Sequence, residues 1–356
     1  MRILHIFGTR PQFVKVAMLR RAWGEKADQY FLNTGQHYSK NLSRIFMNGF
    51  ELPQPDVELD VRSGSSIQQI ATMLSGIESF ILSTSPDCVF VYGDTNSTLA
   101  GALTASKMGK KLVHVEAGLR SFDRNMPEEI NRVITDHLSD LLFCPTKTAR
   151  ENLLCEGITT GVMVSGDVMA DALASYIEKV NTNELVERAF HLRAKEYCVL
   201  TLHRQKNVDS IKNLQSIFSA LEKIGSQIIF PIHPRTAKML ELFHLNLPEN
   251  TIAVEPVGYL EMLALMKEAE CVLTDSGGLQ KEAYLLGIRC ITLRNETEWV
   301  ETQKAGWNIL TGANSAKILS AYTSFHPQGV RPPIFGDYHA AEKIVKKTMK
   351  WMEDDV

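Results

Sequence analysis

Residues 88–118 read CVFVYGDTNSTLAGALTASKMGKKLVHVEAG, and this stretch decides the fold. An apolar run, CVFVYG, leads through Asp94 into a helix-like segment, TNSTLAGALTASKMG. A second apolar run, KLVHV, follows and delivers Glu116. Strand, helix and strand in that order make one unit of a parallel sheet with helices on both faces. The same rhythm extends outward. RILHIF (2–7) precedes a helical stretch from Gln12 to about Trp23, LLFCP (141–145) precedes TKTARENLLCEG, and VMVSG precedes DVMADALASYIEKV. The rhythm pauses near residues 170–195, which read as two polar-faced helices. It restarts with YCVLTLH, QIIFPIH, CVLTDSGG and RCITLR, the first followed by a helix from about Ile211 to Ile224. Two α/β domains are therefore expected, over 1–170 and 171–337, with a helical tail over 338–356.

A chain of 356 residues holds two domains of ordinary size. With 38 basic and 41 acidic residues the net charge is −3, which provides no basic field for nucleic acid. An anionic ligand must then be held by a local cluster of cations. No apolar run reaches the ~20 residues of a membrane-spanning helix. The start, MRILHIFGTR, lacks the apolar core of a signal peptide. A cytoplasmic protein with no membrane partner is expected. The six cysteines (Cys88, Cys144, Cys155, Cys198, Cys271, Cys290) form no C-x-x-C pair. They read as buried, reduced thiols with no metal site.

In open parallel sheets, ligands bind outside the carboxyl ends of the strands. RILHIF is followed by Gly8-Thr9-Arg10, CVFVYG by Asp94 and KLVHV by Glu116. In the second half, VLTL is followed by His203-Arg204, IIFPI by His233-Pro234-Arg235, and CVLT by Asp275-Ser276-Gly277-Gly278. Taken singly, each is accounted for by loop solvation or a helix cap. Six together point to ligand-binding rims, one rich in carboxylates and one in histidines and arginines, forming a deep cleft where they face each other. In TDSGGLQKEA, Ser276 suits an N-cap, and Gly277-Gly278 let backbone N–H groups approach a ligand. The positive end of the following helix suits a phosphate there. Glu282, about ~9 Å further along that helix, is placed to hold ribose hydroxyls. GTRPQFVK is neither a G-x-G-x-x-G fingerprint nor a Walker loop, so neither NAD nor ATP hydrolysis is expected. Lys15 falls on the first turns of the next helix, within reach of an anion shared with Arg10.

These motifs converge on one family. The chain resembles the non-hydrolysing UDP-N-acetylglucosamine 2-epimerases through GTRPQFVK, TGQH, VYGDTNST, HVEAGLRS, MPEEINR, LTLHR, LTDSGGLQKEA and LRNETEWVE, which run in the family's order from residue 3 to about 312. The resemblance implies two facing doubly wound, Rossmann-like domains of the GT-B type with the active site in the cleft between them. It also implies a C-terminal helix packed on the first domain, a homodimer, and no cofactor or metal. By motif it assigns Arg10 and Lys15 to substrate binding and Asp94, Glu116 and Glu128 to catalysis. It places His203 near the diphosphate, with Ser276, Gly277, Gly278 and Glu282 as phosphate loop and ribose acid. Three departures stand out. Gln36-His37-Tyr38-Ser39 differs from the stretch that members activated by a second substrate molecule carry. Gln12 replaces a glutamate, and Trp299 an arginine that can touch ligand. PQF with LRNETEWVE looks like the branch acting on UDP-2,3-diacetamido-2,3-dideoxyglucuronic acid, for which Arg120, Arg124 or Arg132 could hold the sugar's acid group.

The implied reaction inverts carbon 2 of a UDP-2-acetamido sugar. No carbonyl acidifies that proton, so a workable route is elimination of UDP to a 2-acetamidoglucal followed by re-addition. That needs acid–base groups near both faces and stabilisation of the departing diphosphate. His203 is expected to contact the diphosphate and steady the leaving group; Glu129 and Asp123 read as cap or ion-pair groups. The rival readings are a hydrolysing relative, a glycosyltransferase of the same fold, and a silent UDP-sugar-binding protein.

Overall fold

The computed structural model describes residues 1–36, 52–59, 61, 64–177 and 193–354, with the backbone alone at Arg10. His37, Tyr38 and Ser39, on which the activation question turns, lie outside the described residues. So do 178–192 of the segment between the two halves.

The described residues contain two all-parallel sheets. The first joins β1 (Arg2–Phe7), β2 (Asp28–Asn33), β3 (Val57–Glu58), β4 (Cys88–Tyr92), β5 (Lys111–Val115), β6 (Leu141–Cys144) and β7 (Val162–Val164) in the order β3-β2-β1-β4-β5-β6-β7. The second joins β8 (Tyr197–Thr201), β9 (Gln227–Pro231), β10 (Thr251–Val254), β11 (Cys271–Thr274), β12 (Arg289–Thr292) and β13 (Asn308–Leu310) in the order β10-β9-β8-β11-β12-β13. Each order reverses direction once, between β1 and β4 in the first and between β8 and β11 in the second. These are the switch points where a crevice opens at the strands' carboxyl ends.

The apolar runs form strands because both of their faces are covered. In β8 the side chains alternate, as a period of two requires. Cys198 and Leu200 pack with Leu214, Ile217 and Phe218 on one face. Tyr197 and Val199 pack with Leu265, Val272 and Ala283 on the other. In the first sheet Leu4, Ile6, Val89 and Val91 meet a stripe of Met73, Ile77 and Ile81 on the helix Ser66–Thr84. Those three recur every four residues, so they share one helix face, each contributing about 1.5–3 kcal/mol by burial.

The chain divides into two compact units, Met1–Ala172 with Pro333–Val356, and Leu173–Pro332. The return of the chain to the first unit rests on the C-terminal helix Ala340–Asp354. It packs on the helix Arg10–Trp23, and Ala341 N donates to Asp171 Oδ2 at 2.8 Å. Trp351 receives the Lys111 ammonium 4.8 Å from its ring centre.

Several boundaries differ from the sequence reading. The first helix begins at Arg10, two residues early, because Pro11 suits a first turn, where no amide donor is needed. The helix after β8 ends at Leu221 rather than Ile224. The segment from Val168 to Ile177 is a largely buried helix, with Val168, Met169, Ala170, Ala172 and Leu173 inside, where a polar face was expected. Cys155 is exposed, and the other five cysteines are buried free thiols.

Candidate active site

The first unit's rim is built where β1, β4 and β5 end side by side. Gln12, at the start of the first helix, braces the switch point. Its Oε1 accepts from Gly8 N (2.8 Å) and Thr9 N (3.0 Å), and its Nε2 donates to Tyr92 O (2.7 Å). A glutamate at this position could not donate to that carbonyl, so the amide is fitted to its place. The helix that Gln12 opens carries Lys15, which is 4% exposed. Its ammonium pairs with the Glu116 carboxylate, so Lys15 is engaged here by a side chain, where an anion shared with Arg10 was expected.

Glu116 leaves β5 with φ +78°, a left-handed conformation that few non-glycine residues adopt. Its N–H and that of Ala117 both donate to Phe143 O, which holds the turn. Beside it Gly93, at φ +63°, closes β4. A side chain there would put its Cβ 3.1 Å from Glu116 Oε2 and 3.4 Å from Lys15 Nζ. Lys15, Glu116, Pro145, Gly166 and Asp167 line a recess at this edge.

Asp94 follows Gly93, and its Oδ2 lies 2.5 Å from Arg132 Nη2. Arg132 also bonds Glu129 Oε2 at 2.9 Å. Glu129 further accepts Ser121 N (2.8 Å), Ser121 Oγ (2.9 Å) and Phe122 N (2.9 Å). Burial pushes the Glu129 carboxyl up, but the amides and hydroxyl of Ser121 and Phe122 and the charge of Arg132 outweigh it and hold it below its ordinary value. Glu128 stands half-buried in the first turn of the helix Pro127–Leu138, where the helix's positive end favours a carboxylate.

A second charge network lies beneath. His114 Nδ1 is 2.7 Å from Asp136 Oδ1, and its Nε2 is 2.8 Å from Gly93 O. Arg120 Nη1 reaches Asp136 Oδ2 at 2.7 Å, and its other nitrogens bind both Glu156 oxygens at 2.6 Å. The sequence reading took His114 for one more strand residue and did not single out Asp136. No signal in the sequence pairs them, because they lie 22 residues apart on different elements.

The second unit's rim is built where β8, β11 and β12 end. His203 Nδ1 lies 3.3 Å from Asp275 Oδ1, and Asp275 is fully buried. The packed surroundings of the imidazole lower its pKa; Asp275 opposes that shift, while Arg204, His233 and Arg294 add to it. Ser276 precedes the helix Gly277–Leu286 with extended backbone but makes no side-chain capping bond, which departs from the expected cap. Gly277 and Gly278 are the first helical residues rather than a turn before it. A Cβ at Gly277 would fall 2.1 Å from Glu298 Oε1, so a larger residue there would have to displace that carboxylate. Glu282 lies further along the same helix, 5% exposed. Trp299 is buried, with Lys281 Nζ 4.6 Å from its ring centre, and Arg294 Nη2 lies 3.0 Å from Glu298 Oε2.

Thus the structure gathers Lys15, Asp94, Glu116 and Arg132 at the edge of one sheet, with Glu128 on the adjoining helix. It gathers His203, Asp275, Ser276, Gly277 and Arg294 at the edge of the other. Among the described residues no three His, Cys, Asp or Glu side chains are grouped to hold a metal ion, and no helix is long and apolar enough to cross a membrane.

Residues 22–349 match the family described as UDP-N-acetylglucosamine 2-epimerase. A UDP-N-acetylglucosamine 2-epimerase homolog of Methanococcus maripaludis is 48% identical over 97% of this chain and 99% of its own. A UDP-2,3-diacetamido-2,3-dideoxy-D-glucuronate 2-epimerase of Pseudomonas aeruginosa is 44% identical over 91% of this chain and 92% of its own. The crystal structure of the Methanocaldococcus jannaschii UDP-GlcNAc 2-epimerase in complex with UDP-GlcNAc and UDP is similar at a TM-score of 0.92 and 44% identity, covering 98% of this chain and 100% of that one.

Proposed function

From the premise that the chain belongs to the UDP-N-acetylglucosamine 2-epimerase family, we propose that it inverts carbon 2 of a UDP-2-acetamido sugar by eliminating UDP and adding it back. A base takes the carbon 2 proton, and the C–H electron pair becomes the second bond between carbons 1 and 2. The bond from carbon 1 to oxygen breaks, and UDP leaves with its electrons. Re-addition reverses each step, with the proton arriving on the opposite face. The observation that carries this reading is that Asp94 and Glu116 follow adjacent strands, each paired with a cation, while Glu128 opens the helix that carries Arg132. Carboxylates in separate environments suit acid–base work on two faces. Lys15 fixes Glu116, and Arg132 fixes Asp94. On this reading, His203 and the amides opening the second unit's helix at Gly277 receive the diphosphate, and Glu282 the ribose. By its motif Arg10, like Lys15, is assigned to substrate binding. The same family reading makes the working form a homodimer, which sedimentation measures directly.

The sugar is either UDP-N-acetylglucosamine or its 2,3-diacetamido-glucuronate analogue, since relatives of both kinds match over most of the chain. Incubation with each in deuterated water, followed at carbon 2 by NMR, decides both questions. Deuterium in an intact UDP-sugar is the expected result. Free sugar means a hydrolysing enzyme, and an unaltered ligand means a binding protein. Glu116→Gln lowers turnover by about 10²–10⁴-fold on this reading. Near wild-type turnover would remove Glu116 from the chemistry.

A further inference from the structure

Asp275 makes more contacts than a strand-end carboxylate needs. It is fully buried at the end of β11. Its oxygens accept from His203 N (3.1 Å), Arg204 N (3.1 Å) and Asn207 Nδ2 (3.2 Å), and they face His203 Nδ1 at 3.3 Å. All of these donors belong to the one turn that leaves β8, the strand paired with β11 across the second unit's switch point. The seam beneath is closed by the Thr201 and Thr274 hydroxyls at 2.6 Å and by Asp275 N on Thr201 O at 3.3 Å. A buried carboxylate must be satisfied by several donors, and here a single functional turn supplies them.

We infer that Asp275 is the positioning residue of His203: it takes the Nδ1–H, so that Nε2 alone is presented to the diphosphate of the ligand. The inference rests on the diphosphate reading of this rim. An ionised carboxylate only accepts, so the nitrogen facing it carries hydrogen. The neutral ring then keeps its lone pair on Nε2. When an anion arrives, Nε2 takes a proton from solvent, and the imidazolium sits between Asp275 and the anion. The other charged or titratable groups around the ring are Arg204 on its own turn, His233 from the loop after β9, and Arg294 after β12. The His233 ring centre is 6.1 Å away. All three oppose a positive imidazole, and Asp275 is the group that favours it. The carboxylate thus supplies both the ring's orientation and its readiness to become charged beside a diphosphate.

The test uses the full chain labelled with ¹⁵N-histidine, with the His203 signals assigned by their loss in His203→Gln. In the wild type without ligand, at neutral pH, Nδ1 is expected protonated and Nε2 bare. UDP is expected to move the His203 titration upward by about one pH unit or more. In Asp275→Asn the carboxamide oxygen can still accept from the turn, so the fold has a substitute. The UDP-induced shift is expected to shrink, and UDP affinity at pH 6.5 to fall about tenfold or more. A wild-type ring protonated on Nε2 with Nδ1 bare overturns the inference, whether or not the variant folds. An Asp275→Asn protein that binds UDP and titrates like wild type overturns it too. If the wild type shows this tautomer and the UDP-linked shift but epimerises no UDP-sugar, the functional reading fails and this one stands.

Discussion

Replacing Asp136 by asparagine removes the negative charge that three buried groups share. Asp136 is 1% exposed, and its oxygens receive His114 Nδ1 (2.7 Å), Arg120 Nη1 (2.7 Å) and Gly118 N (3.1 Å). The second ring nitrogen of His114 faces the Gly93 carbonyl at 2.8 Å, which is also an obligate acceptor. Acceptors thus flank His114 on both sides, and Asp136 is the charged one. The variant leaves Arg120 paired with Glu156, whose side chain is 27% exposed. Breaking one member of a buried ionic group costs about 3–5 kcal/mol. In a unit near 200 residues, each kcal/mol shifts melting by roughly 2–4 °C. A loss of about 3 kcal/mol thus lowers the first unit's transition by about 6–12 °C, readable by calorimetry at pH 7. The pH dependence follows from the same contacts. Burial pushes the Asp136 carboxyl up, but His114 and then Arg120 outweigh it and hold it below its ordinary value. A depressed carboxyl stabilises fully above its unfolded pKa of about 3.9 and loses that contribution as pH falls through the folded value. The gap between wild type and variant is therefore full at pH 7 and closes only below about pH 4. A variant melting within about 2 °C of wild type at pH 7, or a gap already closed near pH 6, would refute this account of the network.

Gly93→Ala forces a side chain onto a backbone at φ +63° and sets its Cβ 3.1 Å from Glu116 Oε2. The conformational cost is about 1–2 kcal/mol, and displacement of the Lys15–Glu116 pair lowers turnover more than it raises KM. Urea melts with the deuterium-incorporation assay measure both, and unchanged turnover would mean that the pair's placement does not matter. Asp171 behaves oppositely to Asp136: burial raises its carboxyl to about 6. The folded state then binds an extra proton between roughly pH 4 and 6, so stability falls as pH rises through that window and levels off above it. Asp171→Asn, whose amide oxygen can keep the bond from Ala341 N, should flatten that fall and melt above wild type at pH 7.5. An unchanged pH profile of the melting temperature would rule this out.

What the sequence disclosed was periodicity and strand ends. Runs such as CVFVY are buried throughout, so composition alone marks them as strands of a covered parallel sheet. The residue after such a run sits at the carboxyl edge whatever the strand order, which is why Asp94, Glu116, His203 and Asp275 could be found in advance. Partners could not. Lys15 meets Glu116 across 101 positions, and His203 meets Asp275 across 72, because β5 lies beyond β4 from β1 and β11 lies beside β8. Strand order is set by long-range packing, and no local pattern encodes it. Gln12 shows the same limit. Read locally it was a departure from a family glutamate, yet only an amide can bridge two amide donors and a carbonyl across the switch point.

The charged stretch from Val113 to Arg132, the Glu116–Lys15 pair apart, separates into three circuits once its partners are known. Arg120 joins Asp136 and Glu156 beneath the sheet. Asp123 Oδ1 accepts within its own loop, from Asn125 N (3.0 Å) and Asn125 Nδ2 (2.9 Å). Arg132 belongs to the third circuit, and it joins unlike partners. Through Nη1 it holds Glu129, which anchors the loop at Ser121 and Phe122. Through Nη2 it holds Asp94, a candidate acid–base group. Glu129 touches no proposed reacting atom, yet its removal would take one carboxylate partner from Arg132, which is 3% exposed. A cation so placed then interacts more strongly with the Asp94 carboxylate. The scaffold carboxylate and the candidate acid–base group therefore share one guanidinium, which ties the folding of the loop at this strand end to the proposed proton transfer.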